Sequence, residues 1–124
     1  MDELPSPTPR ELEILKVLWE HGPRGVADTH RLLQSADGKA TASNTVQTLL
    51  RIMEAKGLVT HDLDGRAFIY RPVYSRDESA ARFLDRVFDG AASQLVLSLL
   101  NAEKIPPAEL TELRALIDAA RKKA

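Results

Sequence analysis

The segment that decides the fold of this chain is Thr41-Ala-Ser-Asn-Thr-Val-Gln-Thr-Leu-Leu-Arg-Ile-Met-Glu-Ala-Lys-Gly-Leu-Val59. Apolar side chains recur in it at intervals of three and four residues, which predicts a helix with a buried stripe of Val46, Leu49, Leu50 and Met53. Its other faces carry short hydrogen-bonding side chains and an arginine, where solvated helices usually carry Lys and Glu. Such a face suits the major groove of DNA, where base edges present donors and acceptors. The alternative at this point is an ordinary Ser/Thr-rich surface helix.

Two helices are predicted upstream of this segment. Thr8 can act as the N-cap of the first, with Pro9 at the first helical position and Glu11 placed to complete a capping box. Gly22-Pro23 ends this helix near His21. Its inward residues are predicted to be Leu12, Leu15, Val17, Leu18 and Trp19. The second helix is predicted to run from about Val26 to Ser35, because Ala36-Asp-Gly-Lys39 breaks the chain.

A β-hairpin is predicted downstream. The third helix begins near Ala42 or Ser43, with Thr41 or Ser43 as its cap, and ends at Lys56-Gly57. Asp64-Gly65 then separates two alternating runs, which is a strong signal for a tight hairpin turn, and Pro72 ends the second strand. Three helices followed by a hairpin is the order of a winged helix-turn-helix domain, with the hairpin as the wing. A domain of this kind can also serve protein–protein contact, and that alternative stays open.

The last third of the chain is rich in apolar helical segments. Ser75-Arg-Asp-Glu78 forms a capping box, Gly90 interrupts the helix that follows, and Pro106-Pro107 opens the last helix. Three helices this apolar cannot bury their own surface within about fifty residues, so a second copy of the chain is expected to cover them. The residues predicted for this two-fold interface are Phe83, Leu84, Val87, Phe88, Leu95, Val96, Leu99, Leu100, Leu110, Leu113, Leu116 and Ile117. The alternative is that these helices pack back on the N-terminal domain.

The predicted fold class is α+β and mostly α. A winged helix-turn-helix DNA-binding domain is expected over residues 1–73, followed by a helical dimerisation domain over residues 74–124.

Composition excludes several classes of function. The chain has 17 basic and 18 acidic residues, which argues against coating nucleic acid by charge alone, although residues 39–71 carry five basic and three acidic side chains. It has no cysteine, and His21, His30 and His61 show no metal-ligand spacing, so neither a metal nor a cofactor is expected. No carboxylate pair, nucleophile–base arrangement or phosphate loop indicates an enzyme. No apolar run approaches the ~20 residues that span a bilayer, so a cytoplasmic protein without membrane insertion is expected.

Several segments resemble one known family of regulators. They are Glu13-Ile-Leu-Lys-Val-Leu-Trp19 with Gly22-Pro23, Asn44-Thr-Val-Gln-Thr-Leu-Leu50 with Lys56-Gly-Leu-Val59, Gly65-Arg-Ala-Phe-Ile-Tyr-Arg-Pro72, and Phe83-Leu-Asp-Arg-Val-Phe-Asp-Gly90 with Ser93-Gln-Leu-Val. Together they resemble the penicillinase-repressor family of the BlaI/MecI type, over roughly Thr8 to Ile117. The resemblance implies a homodimeric repressor that binds palindromic operators on double-stranded DNA.

The resemblance also implies a release pathway. In the family's antibiotic-resistance members, a membrane-bound metalloprotease that senses β-lactams leads to cleavage at an Asn-Phe bond in the dimerisation helices. The matching bond here is Ser98-Leu99, which is the candidate cleavage site although its residues depart from the family's pattern. The copper-responsive relatives end in a cysteine cluster, and this chain has no cysteine, which excludes copper sensing of that kind.

In a winged helix the recognition helix enters the major groove with its N-terminus first. Ser43, Asn44, Gln47 and Thr48 are then the expected base readers, because Asn and Gln pair with adenine edges and a Thr methyl can contact a thymine methyl. The remaining predicted DNA contacts are Thr41 at the helix start, Thr45 and Arg51 on phosphates, and Arg66 of the wing on phosphate or in the minor groove. The family uses the same positions, often with a basic residue at Asn44 or Gln47.

The sequence therefore predicts a DNA-binding transcriptional repressor. Two alternatives remain: a winged-helix module that binds other proteins, and a regulator that responds to a small ligand bound between its domains.

Overall fold

The computed structural model describes residues 6–38 and 41–123 of the 124-residue chain. The elements in chain order are α1 Pro9–His21, α2 Val26–Asp37, α3 Ser43–Ala55, β1 Val59–Asp64, β2 Ala67–Pro72, α4 Arg76–Phe88, α5 Ala92–Asn101 and α6 Pro107–Lys123. This order confirms the predicted fold class, a mostly helical α+β chain with a winged helix-turn-helix. The chain divides into two compact units, residues 1–79 and 80–124, with the break inside α4 a few residues past the predicted boundary at 73/74.

The predicted capping box starts α1. The Thr8 hydroxyl accepts a hydrogen bond from the Glu11 amide at 3.2 Å, and a Glu11 carboxylate oxygen accepts one from the Thr8 amide at 2.9 Å. The helix ends at Gly22, which has a φ of 86°. α1, α2, α3 and the hairpin enclose one apolar core. Its buried members are Ile14, Leu15, Val17, Leu18, Leu33, Val46, Leu50, Met53, Val59 and Tyr70. Leu12 and Trp19, which were predicted to point inward, pack against it half-buried.

The turn of the hairpin lies one residue further along than predicted. Asp64 pairs with Ala67, so it is the last residue of β1, and Gly65 and Arg66 form the two-residue turn. Gly65 has a φ of 64°, and a glycine at the first turn position is typical of the turns that match the twist of paired strands. This register places Arg66 at the tip of the wing.

An isolated β-bridge pairs Arg24 with Tyr70 of the hairpin. The Arg24 amide donates to the Tyr70 carbonyl at 3.0 Å, and the Tyr70 amide donates to the Arg24 carbonyl at 2.8 Å. Arg24 lies in the link between α1 and α2, so this bridge ties the wing to the helices that support α3. The sequence indicated only that Gly22-Pro23 would end a helix there.

The predicted side-chain cap of α3 was wrong. Ala42 occupies the N-cap position and Ser43 is already helical, and among the described residues no side chain caps this end. Thr41 lies one residue too early to cap the helix, and its hydroxyl and carbonyl oxygens accept hydrogen bonds from other residues. Its hydroxyl accepts from Arg10, and its carbonyl is bonded by His30 Nε2 at 2.5 Å and by Gln34 Nε2 at 3.3 Å.

The three C-terminal helices expose apolar side chains. α4, α5 and α6, all within the described residues, contain no buried residue. The predicted capping box at the start of α4 is present, with the Glu78 amide donating to Ser75 Oγ at 3.0 Å and the Ser75 amide donating to Glu78 at 2.8 Å. Among the described residues, no helix is both long enough and apolar enough to cross a membrane.

Candidate nucleic-acid interface

The two sides of α3 differ sharply in exposure. Val46, Leu50 and Met53 are fully buried and Leu49 is half-buried, so the predicted apolar stripe anchors the helix in the core. Exposed side chains cover the opposite side and include Ser43, Asn44, Thr45, Gln47, Thr48 and Arg51. Because the buried stripe fixes the rotation of the helix, this polar face points to solvent in one defined orientation.

Within this face, the Thr48 hydroxyl donates to the Asn44 carbonyl at 2.9 Å. Its proton is therefore used inside the helix, which leaves the methyl group and the oxygen lone pairs for a partner. Thr41 differs from the other predicted DNA contacts, because it is half-buried and its hydroxyl accepts from Arg10. Thr41 thus joins the segment before α3 to α1 and α2, and its contact with DNA stays a prediction.

A buried ion pair fixes the other end of α3. Glu11 of α1 is only 2% exposed, and Lys56, the C-cap residue of α3, donates to its two carboxylate oxygens at 2.8 and 3.1 Å. Burial raises the pKa of Glu11, but the hydrogen bonds from Lys56 and Thr8 outweigh this effect and hold the pKa below its ordinary value of 4.5. The sequence analysis placed Lys56 at the end of α3 and Glu11 in the capping box but did not pair them, since nothing local to either residue marks Glu11 as buried.

Arg66 is exposed at the tip of the wing. The second wing arginine, Arg71, is engaged in an ion pair across the hairpin, with its Nη1 at 2.6 Å from Asp62 Oδ2. Arg51 lies on the polar face itself, and Arg66 is an exposed cation at the tip of the wing. A helix with a solvent-facing row of hydrogen-bonding groups and an arginine matches the pattern of base contacts and phosphate contacts in a DNA groove.

The predicted dimerisation residues all lie on α4, α5 and α6. Leu84, Phe88, Leu95, Leu99 and Leu113 are half-buried, and the remaining seven are exposed. The predicted cleavage bond, Ser98-Leu99, lies inside α5. In the part of the chain that the structure describes, no group of three or more His, Asp and Glu side chains is arranged to hold a metal ion.

Comparison with known proteins agrees with this arrangement. The family model described as "Penicillinase repressor" matches residues 7–119. The penicillinase repressor of Bacillus licheniformis is 30% identical over 125 residues, covering 95% of this chain and 94% of that protein. The methicillin resistance regulatory protein MecI of Staphylococcus aureus is 21% identical over 113 residues, covering 87% of this chain and 89% of that protein.

One solved relative is bound to DNA. It is the solution structure of Bacillus licheniformis BlaI, in its monomeric form, in complex with the blaP half-operator. The likeness has a TM-score of 0.51 at 28% identity and covers 63% of this chain and 93% of that one. Together with the family model, these matches confirm the resemblance predicted from the sequence. The chain belongs to the penicillinase repressor family, whose members are DNA-binding transcriptional repressors and not enzymes.

Proposed function

We propose that this chain represses transcription by binding a palindromic operator as a homodimer, with α3 of each copy in the major groove of one half-site. The observation that carries the proposal is the exposed polar face of α3, on a helix whose opposite side is locked into the core. The solved BlaI relative is a monomer in complex with a half-operator, which supports one winged helix per half-site. A two-fold dimer then requires half-sites about one helical turn of DNA apart.

Base reading is assigned to Ser43, Asn44, Gln47 and Thr48. Asn44 and Gln47 are one helical turn apart and both exposed, and their amide groups can each pair with the N6 and N7 edge of an adenine. Thr45, Arg51 and Arg66 are assigned to the phosphate backbone, where they set register and orientation.

Dimerisation is assigned to the helical region over residues 74–124. Its helices carry the twelve predicted interface residues, and none of α4, α5 and α6 has a buried residue among those described. An apolar surface of this extent is stabilised when a second copy removes it from water. Joining two recognition helices raises operator affinity with no new contact to DNA, because the second half-site is bound at high effective concentration.

Release from the operator follows if a signal separates the two copies. Cutting the Ser98-Leu99 bond would divide α5 and with it the dimerisation region. This is the route of release from DNA that the family's membrane-bound sensor metalloproteases imply. This bond lies within a helix, so a protease must first unwind α5 to reach it.

The test is binding of the full chain to DNA from its own upstream region, measured by gel shift and by footprinting. We expect one protected site with two-fold symmetric halves and an affinity that falls steeply with salt. A protein-interaction module would protect no sequence in preference to random DNA of the same length, and this outcome would reject the proposal.

Substitutions within the polar face should separate two kinds of contact. Arg51→Ala should weaken binding about five- to tenfold on every operator variant and reduce its salt dependence, because a phosphate contact carries no sequence information. Gln47→Ala should weaken binding to the cognate operator and relax the preference at one base pair per half-site. The measurement is the Kd on a panel of single-base-pair operator variants at two salt concentrations. Equal losses on all variants for both substitutions would refute these roles.

A further inference from the structure

The outer half of the wing has few contacts to hold it in place. Val59 at its base and Tyr70, two pairs further out, are buried, but beyond them Leu63 is 66% exposed and Phe68 is 43% exposed. A two-stranded hairpin is marginally stable without packing on one face. The angle at which the tip meets DNA therefore depends on the few contacts made where the buried part of the hairpin ends.

His61 lies opposite Tyr70, where the buried part of the hairpin ends, and its side chain joins β1 to α3 and β2. On β1 it pairs in register with Tyr70, while the next pair outward on the same face is Leu63 with Phe68. Its Nδ1 is 2.7 and 2.8 Å from the two carboxylate oxygens of Glu54 on α3. Because a carboxylate only accepts, Nδ1 is the donor of this hydrogen bond. The ring stacks on Phe68 of β2, with centroids 4.0 Å apart and planes at 14°, and it also lies 5.6 Å from the Tyr70 ring.

The partner of His61 belongs to the recognition helix itself. Glu54 follows Arg51 by three residues, so the two lie on neighbouring turns of the same side of α3. Burial and the Glu54 carboxylate raise the pKa of Tyr70, while Arg51 acts in the opposite direction. The hydrogen bond from His61 thus connects the wing to the helical turn beside a proposed phosphate contact.

The length of the hairpin makes this connection matter at the tip. From His61 to the turn at Gly65 the strand extends about 13 Å, so a rotation of about 10° at His61 displaces the turn by roughly 2 Å. That displacement is enough to break a hydrogen bond made by Arg66.

We propose that His61 is a positioning residue for DNA binding. Its hydrogen bond to Glu54 and its stacking on Phe68 hold the wing at a fixed angle to α3, so that Arg66 reaches the DNA backbone beside the groove that α3 occupies. This inference rests on the proposed function, and it adds a residue that acts through Arg66 without touching DNA.

The test is a double-mutant cycle in the full-length dimer, with operator Kd measured by fluorescence anisotropy. His61→Leu removes both the donor and the aromatic ring, and we expect it to weaken binding about three- to tenfold, as Arg66→Ala does. In the Arg66→Ala background, His61→Leu should cause no further loss, because the contact it positions is already absent. His61→Asn keeps an N–H donor near Glu54 and should recover part of the affinity.

His21→Leu is the matched control, since His21 Nε2 lies 3.5 Å from Glu20, a pair confined to α1. It should leave the operator Kd unchanged. Thermal unfolding and sedimentation of every variant separate loss of fold or dimer from loss of wing position.

Three outcomes overturn the inference. They are wild-type affinity for His61→Leu, an equal loss from His61→Leu with and without Arg66, and wild-type affinity for Arg66→Ala. If Arg51→Ala weakens binding but Arg66→Ala does not, the wing contact is refuted while the role of α3 stands. If the wild-type dimer does not distinguish operator from random DNA, the proposed function itself fails.

Discussion

A chain truncated after Ser79 should bind a palindromic operator about 10²- to 10⁴-fold more weakly than the full chain. This truncation keeps the first compact unit, including the core, α3, the wing and the Ser75–Glu78 capping box. It removes the exposed apolar helices that the proposal assigns to dimerisation. Each winged helix then binds its half-site independently and loses the gain in effective concentration.

The measurement compares operator and half-operator DNA for both chains by fluorescence anisotropy, with sedimentation to establish the number of copies. The half-operator is the internal control, because the truncated and full chains should bind it with similar affinity. Equal affinity of both chains for the full palindrome would contradict a dimer built on the C-terminal helices.

A single substitution can test the same point in the full chain. Leu116 is 66% exposed on α6, and Leu116→Asp should split the proposed dimer because it would place a charge in its apolar interface. Ala115→Asp is the matched control, since Ala115 is exposed on the same helix but lies outside the predicted apolar stripe. If both variants remain dimeric, this part of α6 lies outside the interface.

The second large effect is expected at Glu11. Glu11→Ala should lower the free energy of unfolding by about 2–3 kcal/mol, because it removes the charge-assisted hydrogen bonds from Lys56, whose side chain is 26% exposed. It also removes the capping-box hydrogen bond to the Thr8 amide. Urea unfolding followed by circular dichroism measures the loss. Glu13→Ala is the control, because Glu13 is more exposed and pairs with Arg10 within the same helix.

The pH dependence of stability gives an independent check on this carboxylate. The pKa of Glu11 is lower in the folded chain than its ordinary value of 4.5, so the unfolded chain binds the proton more tightly. The stabilising contribution of Glu11 is therefore fully present above about pH 4.5 and is lost as the pH falls through the folded pKa. Glu11→Gln should flatten the stability profile in this acidic range, whereas Glu13→Gln should leave it close to that of the wild type. The same acid slope in Glu11→Gln as in the wild type would show that other carboxylates cause it.

The helices were predictable because their signals are local. The capping boxes at Thr8 and Ser75 and the positive φ at Gly57 depend on residues within one or two helical turns. The hairpin was found from the same kind of signal, but its turn was misplaced by one residue. Asp-Gly and Gly-Arg both fit a two-residue turn, and the choice between them depends on which strand residues face the core.

The roles of individual side chains at the interface were less predictable. The polar face of α3 was predictable because its residues fall between the apolar residues that recur every three or four positions, and so lie on another side of the helix. Thr41 was predicted to cap α3, which was wrong, since it bonds to residues of α1 and α2. Its contact with DNA stays a prediction. The hydrogen bond between His61 and Glu54 was missed, because seven residues and a change from helix to strand separate the two.

The amino-acid sequence was enough to predict the order of elements, the winged-helix fold class, the buried and polar faces of α3 and, by resemblance, the family. The elements and faces follow from periodicity, caps and turn residues, which act between neighbours along the chain. The folded structure was needed to show how α3 and the wing are held: by Glu11 and Lys56, 45 residues apart, by the Arg24–Tyr70 bridge, and by His61 on Glu54. Such contacts form when packing of the core brings separate segments together. The residues next to a Glu, Lys or His in the sequence do not indicate which side chain it will contact in the folded chain.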